Sequence, residues 1–185
     1  MKEDSDLYVL EKIKETIDYN TMLSKGVSEE RLLSFFKTIR QLISSPANKN
    51  LKYLKINVDG ASRGNPGRAG IGIVIKDSSG KVLKEIREFI GNTTNNVAEY
   101  RAMLRALEVA RDLKGDSLLI LTDSEMVANQ LNGKYKVKSK DLIHLYDLAK
   151  ERISSFQKVT IQHVPRNQNK DADNLANLAI DSVNS

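Results

Sequence analysis

The 185-residue chain contains no cysteine. This excludes disulfides, thiolate nucleophiles and cysteine-ligated zinc. Two histidines, His144 and His163, are too few for a histidine-rich metal site. Any metal is therefore expected on oxygen ligands, which suits magnesium, manganese or calcium. No stretch approaches the roughly eighteen consecutive apolar residues of a membrane-spanning helix, so no membrane partner is expected. Met1-Lys2-Glu3-Asp4 lacks the basic start and apolar stretch of a secretion signal, and a cytoplasmic protein is expected. With 40% hydrophobic and 29% charged residues, the composition is that of a folded globular chain rather than a disordered one.

Charge and patterning divide the chain near residue 46. Residues 1–45 carry seven Lys/Arg and eight Asp/Glu, whereas residues 46–185 carry twenty-two and sixteen. The larger part is thus basic, which is compatible with a polyanionic partner. In the first part, Leu10, Ile13 and Ile17 recur at helical spacing, and Lys25-Gly26-Val27 reads as a turn. Ser28 can cap a second helix with Glu29 and Glu30 at its positive end. Its apolar stripe is Leu32, Phe35, Phe36, Ile39, Leu42 and Ile43. The expected organisation is a helical hairpin of unknown role over 1–45, a linker over 46–51 and a main domain over 52–185. A hairpin of that size buries little alone, so its stripe is expected to contact the larger domain, a second copy or another protein.

The main domain alternates strand and helix patterns. Strands are predicted at 53–58, 70–76 and 81–90, joined by short links as an antiparallel meander. A helix follows over 95–113, an apolar strand over 117–122, helices over 124–131 and 139–154, a strand over 158–164 and a helix over 171–181. The expected fold class is α/β, a mixed five-stranded sheet whose first three strands are antiparallel, flanked by helices.

Four carboxylates stand at predicted strand ends or helix starts. Asp59 follows the first strand, Glu99 lies in the first turns of the long helix, Asp123 ends the apolar strand and Asp173 opens the last helix. In open α/β sheets such positions gather at one edge. Acids brought together there repel, and hard divalent cations remove that cost. A carboxylate cage for one or two magnesium ions is the physical expectation. A solvated surface acid or a helix-start charge is the bland alternative for each residue alone.

The stretches around these acids resemble type-one ribonuclease H. They are Val58-Asp59-Gly60-Ala61 with Gly64-Asn65-Pro66-Gly67, Thr93-Thr94-Asn95-Asn96-Val97-Ala98-Glu99, Leu121-Thr122-Asp123-Ser124 and Asn169-Lys170-Asp171-Ala172-Asp173-Asn174-Leu175-Ala176. The resemblance covers residues 51–183. It implies the ribonuclease H fold and an endonuclease cutting the RNA strand of RNA–DNA hybrids by two-metal hydrolysis, leaving 5′-phosphate and 3′-hydroxyl ends. It implies Mg2+, with Mn2+ as a substitute, held by Asp59, Glu99, Asp123 and Asp173. In that scheme Asp59 bridges the ions, Glu99 serves the leaving-group side and Asp173 serves the attacking water.

The resemblance also implies that Asn65, Asn95 and Asn96 read the hybrid's minor groove, where amides both donate and accept. Thr94 is expected at a phosphate of the DNA strand. The bland readings are a turn for Asn65 and a helix cap for Asn95 or Asn96. Lys134, Lys136, Lys138 and Lys140 alternate, and an extended segment would project them to one side as a phosphate-tracking ridge. An ordinary solvated lysine loop is the alternative. Glu125 departs from the family's usual Gln. His163 reads as a strand end rather than a loop histidine assisting product release, which leaves Arg166 as the loop group for phosphate or for a site acid. His144 lies mid-helix, and no catalytic role is expected for it.

Two other classes compete: a same-fold nuclease or transposase acting on DNA, and a non-catalytic hybrid-binding module. The Asn95-Asn96 pair speaks against the first and the intact acids against the second. Relatives with an N-terminal hybrid-binding module carry a Trp there. This chain has none, and residues 1–45 do not resemble that module. Thr21 to Ser28 is faintly similar to a helix-turn-helix corner, but Glu29 and Glu30 would face DNA phosphates badly.

Overall fold

A computed structural model of the protein describes residues 6–44 and 51–182, with only the backbone described at 6–9, 19, 20 and 42–44. The chain separates into two compact units between Leu51 and Lys52. The expected linker over 46–51 lies outside the described residues except for Leu51. Among the described residues no helix is long and apolar enough to cross a membrane.

Among its described residues the first unit holds three helices rather than the two expected: α1 (Asp6–Thr16), α2 (Tyr19–Ser24) and α3 (Glu29–Ser44). Asp18 causes the extra break. Its carboxylate accepts hydrogen bonds from the Thr21 backbone N–H (3.2 Å) and the Thr21 hydroxyl (2.6 Å), which starts a new helix. Ser28 accepts from the Arg31 N–H at 3.3 Å at the head of α3. Along the expected stripe Leu32 and Phe36 are buried, but Phe35 is 56% exposed and touches Phe36 edge-on. The side chains of Leu42 and Ile43 lie outside the described ones.

The second unit is built on a five-stranded sheet of order β3-β2-β1-β4-β5. The strands are β1 (Tyr53–Gly64), β2 (Gly67–Lys76), β3 (Val82–Thr93), β4 (Ser117–Thr122) and β5 (Lys158–His163). The first three pair antiparallel, while β4 runs parallel to both β1 and β5. Helices α4 (Asn95–Asp112), α5 (Glu125–Leu131), α6 (Lys140–Ser154) and α7 (Lys170–Asp181) complete the unit, with a 3-10 turn at Arg166–Gln168.

The main departure from the sequence expectation is the length of the hairpin. The predicted strands end at Val58 and resume at Gly70, yet β1 continues through Asp59 to Gly64, paired with β2 throughout. Only the β1–β4 pairing stops near the acid, at Val58 opposite Thr122. Antiparallel partners across the hairpin satisfy the backbone there, which local sequence does not reveal.

Helices lie on both faces, and two glycines set how closely they approach. Gly60 and Gly72 sit one register step apart, so they face opposite sides of the sheet. A Cβ at Gly60 would meet the backbone of Ala98 and Glu99 in α4 at 2.2–2.3 Å. One at Gly72 would meet the Ala172 carbonyl oxygen and Ala176 nitrogen of α7 at 2.0 and 2.5 Å. These contacts seat the two acid-bearing helices against β1 and β2. The core between sheet, α4 and α6 includes the fully buried Leu54, Ile56, Ile73, Met103, Leu107 and Ile120.

Gly72→Ala is expected to push α7 off the sheet and destabilise the domain by about 1–3 kcal/mol or more, as overpacked backbone contacts do. Urea denaturation measures this. An unchanged midpoint would show that α7 is not held through this contact.

Candidate active site

Parallel pairing of β1 with β4 ends in register at Val58 and Thr122, so the next residues, Asp59 and Asp123, emerge side by side. Asp59 lies on the sheet face that α7 covers, because it pairs with Gly72. Asp173 enters from the first turn of α7. Glu99 comes from α4 on the opposite face, beside Gly60. Its Oε2 accepts a hydrogen bond from the Gly60 N–H at 3.3 Å.

Electrostatics show that the four acids share one neighbourhood. Asp59 is buried, and its carboxyl is pushed up from 3.8 to about 7. Burial is the main cause. The charge of Asp123 and a hydrogen bond with it come next, then the charge of Asp173, with Arg166 pulling the other way. The Glu99 carboxyl is likewise held well above the usual range by burial and by Asp59 and Asp123. Arg166, in the 3-10 turn, ion-pairs with Asp173.

A buried amide pair, which sequence reasoning missed, ties this group together. Asn169 is 1% exposed. Its Nδ2 donates to the Val58 carbonyl (2.9 Å) and to Oδ1 of Asp123 (2.8 Å), while its Oδ1 accepts from Nδ2 of Asn57 (3.0 Å). The Asn57 amide also donates to the Gln168 carbonyl at 3.4 Å. The available signals were weak: a polar residue inside an apolar strand, and an asparagine at a helix start. The latter reads as an ordinary cap, yet the Asn169 side chain makes no capping bond.

The donor set is all oxygen and carries excess negative charge, which fits a hard divalent cation. Each acid has its own partner: Asp59 with Asp123, Asp123 with Asn169, Glu99 with Gly60 and Asp173 with Arg166. Among the described residues no three His, Cys, Asp or Glu side chains are arranged to hold one ion together. The acids are therefore gathered at the sheet edge rather than closed into a finished cage.

The hairpin tip lies against the head of α4. The Asn95 N–H donates to Oδ1 of Asn65 (3.2 Å), and Oδ1 of Asn95 accepts from the Ser62 N–H (3.2 Å). Neither bond uses the side-chain NH2 groups. Thr94, not an asparagine, caps α4: its hydroxyl accepts from the Val97 N–H at 3.4 Å. Asn96 is exposed.

The lysine ridge is not formed as expected. Gly133, at φ 76°, turns the chain after α5, and the N–H groups of Lys134 and Tyr135 both bond the Asn129 carbonyl. This curl interrupts the extended run, and Lys140 already belongs to α6. Lys134 borders a groove of about 310 Å³ with Glu125, Asn129, Asn132 and His163. Lys136 borders a different one with Tyr135, Ile143 and Tyr146. Glu125 is exposed and accepts from Asn129 Nδ2 and the Tyr135 hydroxyl, both at 3.4 Å. His163 is the exposed last residue of β5, and His144 is exposed on α6.

The raised carboxyls have a thermodynamic consequence. The folded state binds the Asp59 proton more tightly than the unfolded chain does, so stability without metal falls as pH climbs from about 4 to about 7. Above that window this group adds no further change. Asp59→Asn is therefore expected to raise the metal-free melting temperature, by a margin that grows between about pH 4 and about pH 7. Calorimetry with chelator present checks this, and a margin that shrinks with pH would contradict it.

Comparisons with known proteins agree with this architecture. The signature of the family described as "Reverse transcriptase-like" matches residues 57–179. A bifunctional protein of Mycobacterium tuberculosis is 44% identical over 129 residues, which is 69% of this chain and 35% of that protein. The chain thus spans about a third of that relative's length. A ribonuclease H of Chlorobaculum parvum is 32% identical over 142 residues, covering 70% of this chain and 96% of the relative. The crystal structure of LC11-RNase H1 in complex with an RNA/DNA hybrid matches with a TM-score of 0.68 and 40% identity, over 71% of this chain and 99% of that one. With most of the second unit matched by sequence and by fold, the chain belongs to the ribonuclease H family.

Proposed function

We propose that residues 52–185 form an endonuclease that hydrolyses the RNA strand of RNA–DNA hybrids, leaving 5′-phosphate and 3′-hydroxyl ends. The observation that carries this reading is the convergence of Asp59, Glu99, Asp123 and Asp173 from β1, α4, the end of β4 and the first turn of α7 on one end of the sheet. The hybrid bound to the structurally similar LC11-RNase H1 supports the substrate class.

Asp59, Glu99, Asp123 and Asp173 would hold Mg2+, with Mn2+ as a substitute. When bound there, the cation supplies charge neutralisation and polarisation of the phosphoryl oxygens. The protein's own residues do the rest. Burial of Asp59 and Glu99 would strengthen electrostatic interactions at the reacting phosphate. The Arg166 guanidinium is 74% exposed at the rim, where it steadies Asp173 and offers its free edge to a phosphate. Lys134 adds a positive charge beside the same sheet edge. The amides of Asn65, Asn95 and Asn96, on the hairpin tip and the head of α4, present donors and acceptors suited to 2′-hydroxyls and base edges of a minor groove. Thr94 holds the head of α4 in place and would meet a phosphate of the DNA strand. For the first unit we propose a protein or self contact, supported by the exposed Ile13, Leu33 and Phe35.

Cleavage of a hybrid, a duplex RNA and a duplex DNA, with and without magnesium, tests the activity. The hybrid alone is expected to be cut, and only with the cation. Equal cutting of duplex DNA would replace this reading with that of a DNA nuclease. Asp123→Asn is expected to abolish cleavage while hybrid binding persists, and near-wild-type activity would overturn the site assignment. Removing residues 1–46 is expected to leave hybrid affinity unchanged, whereas a large loss would make the first unit a substrate-binding element.

A further inference from the structure

The buried amides raise a question of purpose. Asn169 engages both amide N–H groups and its oxygen inside the protein, on β1 and on the acid that follows β4. One N–H goes to the carbonyl of Val58, the residue before Asp59; the other goes to Asp123; the carbonyl takes the Asn57 amide. Only one orientation of the amide satisfies these partners. Flipped, its oxygen would face a carbonyl and a carboxylate, and its NH2 would face another NH2. Asn57 therefore acts as a key: by offering a donor, it obliges Asn169 to turn its own donors toward Val58 and Asp123. Asn57 is in turn anchored to the Gln168 carbonyl, so the network closes on the turn that precedes α7.

We infer that Asn169, keyed by Asn57, is a positioning residue that fixes the Asp123 carboxylate and ties the β1 edge to the start of α7, setting the spacing of Asp59, Asp123 and Asp173 for cation binding. The inference rests on the proposed function of the site. Asp59 and Asp123 stand side by side and repel when both are ionised. An uncharged double donor at Asn169 steadies Asp123 through one oxygen without adding a positive charge that would compete with a cation for the other. A purely structural capping role is disfavoured by the geometry: the side chain makes no cap bond to α7, and its shortest contact, 2.8 Å, is to a site acid.

The test compares Asn169→Ala and Asn57→Ala with wild type and with Leu107→Ala. The last is a core truncation far along α4 that destabilises the same domain without touching the acids. Two readouts are taken on the full chain: the rise in melting temperature caused by magnesium alone, and the magnesium dependence, kcat and KM of hybrid cleavage. Asn169→Ala is expected to raise the half-saturating magnesium concentration by roughly tenfold to a hundredfold, as loss of a group that orients a ligand does. It is expected to shrink the magnesium-induced rise and to lower kcat with little change in KM for the hybrid. Asn57→Ala should move the same quantities by less, because the Asp123 contact survives. Leu107→Ala should lower the metal-free melting temperature while leaving the magnesium dependence at its wild-type value.

Wild-type magnesium dependence in Asn169→Ala overturns the inference. So does a change in both asparagine variants that Leu107→Ala reproduces at equal loss of stability. A wild-type protein stabilised by magnesium but inert on hybrids would refute the proposed activity and leave the positioning role to be decided by the melting data. A wild type indifferent to magnesium refutes both.

Discussion

Crowded negative charge dominates this protein. Asp59 and Glu99 are buried close to Asp123, and burial and mutual repulsion push both carboxyls upward. Such an arrangement costs folding stability near neutral pH and survives because the rest of the domain supports it. The support comes as individually placed donors: the Gly60 N–H to Glu99, the Asn169 amide to Asp123 and the Arg166 guanidinium to Asp173. Each is worth a modest amount, but together they orient acids that would otherwise turn apart. Two of the three donors are neutral, which leaves the excess charge in place for a cation.

The scaffold makes this crowding possible by bringing helices unusually close to the central strands. Gly60 and Gly72 lie on opposite faces of adjacent strands, and each lets a helix backbone come where a side chain would block it. Glu99 reaches the site because α4 rests on Gly60, and Asp173 reaches it because α7 rests on Gly72. Between them, the parallel β1–β4 pair delivers Asp59 and Asp123 without any loop of its own. Packing and chemistry are thus coupled: the contacts that bury the core are the contacts that set the acid spacing.

The acids themselves were legible in the sequence because each sits at a predicted strand end or helix start, inside a short stretch that resembles a known family. The mixed five-stranded sheet with its first three strands antiparallel followed from strand spacing and connection length, and β4, α4 and α6 lie within one or two residues of their predicted bounds. The long hairpin was not legible. The stretch from Gly60 to Ala69 carries turn-forming residues, and only pairing between β1 and β2 makes it strand. The extra break at Asp18 was hidden because the cap that makes it depends on a side chain bonding three residues on. The lysine alternation misled for a related reason: a period of two implies an extended chain only where the backbone is extended, and Gly133 curls it.

By itself the sequence determined which chemical groups are available: oxygen ligands without thiols, amides near the acids and a basic main domain. It also determined the order of strands and helices, because hydrophobic periodicity and chain connectivity are local properties. Tertiary structure alone decided what those groups do to one another. Asn57 and Asn169 stand 112 residues apart, and nothing in either one's neighbourhood announces that they share a hydrogen bond. The raised carboxyl of Asp59 likewise arises from burial and from charges distant in the chain. Electrostatic and hydrogen-bond energies depend on distances through space, and those distances exist only once the chain has folded.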